Sequence, residues 1–106
     1  MSIAFYFDSD CRTLDRACRV ALGDVQGNVK PYRAGLLASE KPCLFAGLDY
    51  DHPWTRDAAL NTWYAAAMLM PDVSQTTLLS VVEHDGDNLL IGGEYWDAMI
   101  WVMGAW

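Results

Sequence analysis

Asp57-Ala58-Ala59-Leu60-Asn61-Thr62-Trp63-Tyr64-Ala65-Ala66-Ala67-Met68-Leu69-Met70-Pro71-Asp72 carries no charge between its two terminal aspartates. Alanine, leucine and methionine favour helix, and Pro71 sets its far boundary, so the stretch predicts a helix over 55–70. A helix that is apolar all round is expected to be buried on every side. The segment before it, Pro53-Trp54-Thr55-Arg56-Asp57, is polar and aromatic and marks the helix start.

The same alternation recurs along the chain. Over 10–26, Leu14, Ala17, Cys18, Ala21, Leu22 and Val25 return at helical spacing, with Arg12, Asp15, Arg16 and Arg19 on the other face. This predicts a one-sided surface helix with Asp15 and Arg19 as an i,i+4 pair and Gly27 as its stop. Residues 28–51, punctuated by Pro31, Gly35, Pro42 and Gly47, read as a long irregular connection with short strands at 35–37 and 43–46. A third helix is expected from Asp72, as N-cap of a capping box with Gln75, to His84, with Leu78, Leu79 and Val82 inward. Asp85-Gly86-Asp87-Asn88 is a turn and Leu89-Leu90-Ile91 a short extended run. A fourth helix starts near Glu94 and has no charge after Asp97.

One-sided, buried, one-sided, buried: the pattern predicts an all-α fold of two helical hairpins. The inner helices run parallel, so their N-terminal ends meet at one pocket. At its mouth stand Asp49, Asp51, His52, Trp54, Arg56 and Asp57 from one hairpin, and Glu94, Trp96 and Asp97 from the next. Arg56 beside Asp57 offers a donor fork and an acceptor, a combination that grips neighbouring sugar hydroxyls. Trp54 and Trp96 offer flat faces for a sugar ring. The competing reading of Asp57, Glu94 and Asp97 is favourable charge at a helix N-terminus.

Composition narrows the classes of function. The 106 residues are 53% hydrophobic and 20% charged, which excludes a disordered segment. A net charge of −7 excludes a phosphate-backbone partner, so no nucleic acid is expected. No run reaches the ~20 apolar residues of a membrane span, and Met1 to Asp8 lacks the basic start of a leader. Cys11, Cys18 and Cys43 form an odd set without metal spacing, which points to free thiols in the cytoplasm. No metal or cofactor is expected. Glu83, Asp85, Asp87 and Glu94 approach calcium-loop spacing, but Asn88 stands where the loop needs glycine. His52 and His84 have no i,i+4 histidine partner.

Tyr50-Asp51-His52-Pro53-Trp54-Thr55-Arg56-Asp57-Ala58-Ala59-Leu60 resembles the Trp-Thr-Arg-Asp segment of glucoamylase-type enzymes. In those (α/α)6-barrel, or six-hairpin, glycosidases this segment opens an inner helix. Gly92-Gly93-Glu94-Tyr95-Trp96-Asp97 with its apolar helix resembles the next hairpin of bacterial members. The resemblance, which covers residues 10–106, implies a partial barrel domain of about two hairpins in six. It implies that Arg56 and Asp57 bind sugar beside the cleaved bond, with Trp54, Asp51, Trp96 and Asp97 around them. It implies glycoside hydrolysis as part of a longer or assembled protein, since the general acid and base of such enzymes lie in later segments. The apolar run 99–106 is uncapped, which suggests a core finished elsewhere. The alternative expectation is a small acidic helical binding module, self-associating through Trp101 and Trp106 of its C-terminal helix.

Overall fold

A computed structural model describes residues 5–106; residues 1–4, the start of the segment read for a leader, lie outside it. Helix α1 spans Arg12–Gly27, and strands β1 (Val29–Tyr32) and β2 (Lys41–Leu44) form an antiparallel hairpin. Next come α2 (Thr55–Asn61), a π-helical turn (Thr62–Ala66) and α3 (Ala67–Leu69), which together make one interrupted helix. Helix α4 (Pro71–Ser80) leads into a second antiparallel hairpin, β3 (Val82–Asp85) with β4 (Asn88–Ile91), and α5 (Tyr95–Ala105) follows. The fold is therefore mixed α/β, 51% helical with two small hairpins. This corrects the all-α expectation.

The hairpins displace what periodicity predicts. Pro31 faces Pro42 across β1–β2, in a ribbon of two edge strands where a missing N–H is tolerated. Residues 35–37 are not a strand; Gly35 instead sits on the C-terminal carbonyls of α4, and Leu36 N–H donates to Leu79 O (3.1 Å). Helix α4 ends at Ser80, not His84, because Val82–Asp85 leaves it to pair with β4. Its start differs as well. Pro71 takes the first helical position, Met70 is the N-cap, and no side chain caps it, so the Asp72–Gln75 capping box does not form. The acids of the calcium-loop spacing belong instead to the second hairpin, with Gly86 in the left-handed region at its turn (φ 62°), and to the residue before α5.

Leu44, Ala66, Met70 and Val73 form the core, with Val25, Val29 and Leu69 packed on it. Two threonines of α4 fasten the first hairpin to this core. Leu44 N–H donates to Thr77 Oγ1 (2.8 Å), and Thr76 Oγ1 donates to Pro42 O (2.5 Å). Helix α1 reaches this core through Val25 near its C-terminal end, and none of its residues is fully buried. Asp15 accepts from Ser9 Oγ (2.7 Å), and no Asp15–Arg19 ion pair occurs among the described residues.

Helices α2 and α5 lie against each other at backbone distance. A Cβ on Gly104 would stand 2.6 Å from Ala59 O, and Ala58 and Ala59 are fully buried beneath it. The contact needs small residues, and the sequence supplies them. Yet neither charge-free helix is buried all round. Trp63 and Tyr64 stack with 5.4 Å between ring centroids and are exposed, as is Met68, while α5 has no buried residue. Lack of charge marked a helix with one packed face and one open apolar face.

Candidate functional site

The N-terminal ends of α2 and α5 border one cleft of about 530 Å³, within the range of small-molecule sites. Trp54, Thr55, Arg56 and Asp57 line it from the first end, and Gly93, Glu94 and Asp97 from the second. Tyr32 of β1, His52, Pro53, Val81, Glu83 and Gly92 complete the wall. Asp51 and Trp96 do not line it. Asp51 touches the His52 ring through its carboxylate, and Trp96 packs edge-on against Tyr95, pointing into solvent.

Arg56 does not use Asp57 as its partner. Its Nε–H donates to Asp97 Oδ1 (2.8 Å) and its Nη2 stands 2.8 Å from the same oxygen as an ion pair, across the gap between the two helices. Asp97 Oδ2 accepts the Glu94 backbone N–H (2.9 Å), and the Glu94 carboxylate accepts from the Asp97 backbone in return. This reciprocal capping box opens α5. Gly93, with φ 89°, leaves room for the Asp97 carboxylate, which would lie 2.8 Å from any Cβ there. Of the five N–H donors of Arg56, only Nε–H is spent in a hydrogen bond among the described residues. Asp57 is exposed and no bond of its side chain occurs among the described residues.

The Glu94 N–H, and after it the Arg56 guanidinium, hold the Asp97 carboxyl below the usual carboxylate range, against an opposing effect of burial. A depressed folded value means the stabilisation is complete above the ordinary value of about 3.9 and is lost as pH falls below it. As pH falls below about 4 the thermal midpoint of the natural chain is therefore expected to fall more steeply than that of Asp97→Asn. Equal slopes in circular-dichroism melts would remove Asp97 from the acid response. Burial, then Asp51 and Cys43, pushes the Tyr32 phenol up, so at neutral pH it is a donor at the cleft wall. Burial also pushes the Cys43 thiol up, which keeps it protonated and unreactive.

No protein-family model, curated protein or solved structure matches this chain. Geometry carries the functional reading by itself.

One backbone angle adds to it. Trp54 has φ 57° and ψ 139°, a left-handed conformation that bulky residues rarely adopt. Such strain costs about 1–3 kcal/mol and gathers at binding sites. Here it turns the half-exposed indole beside the His52 ring, 4.1 Å between centroids, at the cleft edge. The strain is not signalled by spacing; His52, expected at the mouth, does line the cleft, whereas Tyr32, Val81 and Glu83 were not expected there. A second cavity of about 120 Å³, behind Leu44 and Ala66, is walled mainly by apolar side chains. Among the described residues, no three acidic, histidine or cysteine side chains are grouped to hold a metal, and no helix is long and apolar enough to cross a membrane.

Proposed function

We propose that the cleft between the N-terminal ends of α2 and α5 binds a carbohydrate, as the sugar-holding part of a glycoside hydrolase. The observation that carries this reading is the Arg56–Asp97 clamp. It fixes a guanidinium beside the indole of Trp54 and the Asp57 carboxylate, which has no partner among the described residues. A sugar hydroxyl both donates and accepts, so a fixed donor next to a fixed acceptor suits it, and the indole face suits the ring's C–H surface. Asp57, Glu83 and Glu94 add carboxylates to the same wall. Glycoside hydrolysis needs two such groups flanking the bond, and the reading assigns neither acid nor base to this chain. Self-association is the second reading, favoured by the open apolar face of α5.

Calorimetric titration with glucose and maltotriose tests the cleft. The natural chain is expected to bind at least one of them saturably, and Asp57→Asn to bind at least about tenfold more weakly. Trp54→Gly separates fold from function: relief of the backbone strain keeps its melting temperature at or above the parent's, while sugar binding falls. No heat with either sugar, or full binding by Asp57→Asn, would sink the reading.

A further inference from the structure

Helix α5 has two faces of opposite fate. Asp97, Trp101 and Gly104 recur at i, i+4 and i+7 and turn inward: Asp97 to Arg56, Trp101 Nε1 to Leu78 O (3.1 Å), Gly104 to Ala59. Tyr95, Trp96, Met99, Val102, Met103 and Trp106 fall on the outward side. They are 72, 65, 46, 56, 55 and 104% exposed, with no charged residue from Ala98 to Trp106. Single exposed apolar residues are ordinary, but a stripe along a whole helix is a contact surface.

We propose that this stripe pairs with the same stripe on a second copy of the chain, α5 against α5 about a two-fold axis. The proposal rests on the self-association reading and names its surface, which takes Trp96 and Trp106 and leaves out Trp101. Area supports a copy as the occupant. Three aromatics open to this extent present roughly 500 Å², taking 150–250 Å² for each ring side chain. The two half-open methionines and the valine bring the face toward the ~800 Å² that each partner gives a stable interface. An isologous pairing uses up the single stripe on each chain and closes as a dimer. The face has no charge for a charged partner to read. The rest of each copy carries the −7 net charge, so two copies repel outside the contact. Salt screens that repulsion and leaves the apolar contact intact, so salt tightens the dimer. A complex held by ion pairs responds in the opposite sense. The cleft is lined by none of the six stripe residues and stays open in the dimer.

Sedimentation of the full chain at about 0.05 M and about 0.5 M salt reads the proposal. The expected result is a dimer that tightens with salt. Met103→Glu is expected to raise the dissociation constant at least about tenfold, since it puts a charge into the centre of the apolar contact. Its melting curve and sugar titration are expected to match the parent's, because Met103 is half-exposed and outside the cleft. Leu48→Glu, at a still more exposed apolar position but in the loop after β2, is expected to leave the dimer intact. A monomeric natural chain would overturn self-association itself. A dimer that survives Met103→Glu, dissociates with Leu48→Glu or loosens with salt would overturn the assigned surface.

Discussion

Gly35→Ala is expected to lower the melting temperature by more than about 10 °C, the largest loss of stability from any single methyl group in this chain. Gly35 has φ 55°, where an L side chain is strained by about 1–2 kcal/mol. The methyl group would also stand 2.5 Å from Val82 O and 2.6 Å from both Leu79 O and Ser80 O. These are backbone carbonyls at the end of α4 and the start of β3, so no flexible side chain can swing aside. Overpacking of that kind adds about 1–3 kcal/mol. Gly86→Ala is the matched control, because Gly86 has φ 62° and nothing within 4 Å of its Cβ position. It is expected to show the strain alone. Similar melting shifts for the two variants would mean that Gly35 does not anchor the loop to α4.

Gly35 also explains why half of the fold was legible in the sequence and half was not. Helices α1 and α5 and the interrupted helix over 55–69 follow from apolar spacing, from Pro71 and from the polar cluster at Glu94. The end of α4 does not. Leu78, Leu79 and Val82 continue a helical repeat, and the helix ends at Ser80 because Val82–Asp85 pairs with β4, beside the close approach of Gly35 from more than forty positions earlier. Strand β1 was hidden by Lys30 and Pro31, which carry no strand propensity; its partner β2, itself fastened to α4 by two threonine hydroxyls, holds it extended. Burial failed for a different reason. A lack of charge fixes what a helix does not present to solvent as ions, and says nothing about whether a neighbour covers it.

The site was readable in its location and misread in its pairing. Spacing placed the N-terminal ends of α2 and α5 together, and they do border one cleft. Local sequence set Arg56 beside Asp57 as a donor and an acceptor for a ligand, and gave no sign of Asp97 as the partner of Arg56. The clamp joins residues 41 positions apart. Trp96 was placed at the mouth because it adjoins Asp97, yet helical phase turns consecutive residues about 100° apart. With Asp97 facing inward, Trp96 faces out, a consequence that the spacing of Asp97, Trp101 and Gly104 already contained.

Arg56→Ala is expected to cost the cleft more affinity than any other single exposed change, because one side chain serves two purposes. It supplies the donors offered to a ligand, and it holds the α5 N-terminal end against α2 through Asp97. Charge-assisted hydrogen bonds of this kind contribute about 1.5–3 kcal/mol each to binding, so sugar affinity is expected to fall about ten- to a hundredfold. Arg56→Lys is not expected to restore it, since an ammonium cannot reproduce the planar fork that meets Asp97 through Nε and Nη2 together. Arg12→Ala, on the exposed face of α1, is expected to bind sugar as the parent does. A double-mutant cycle with Asp97→Asn separates the two purposes. If Arg56 acts only by positioning α5, Asp97→Asn weakens binding as much as Arg56→Ala does, and the double variant is no worse. If its free donors touch the ligand, Arg56→Ala weakens binding beyond the loss caused by Asp97→Asn. Equal binding by Arg56→Ala and Arg12→Ala would leave the clamp as a structural tie between two helices and take the sugar out of the cleft.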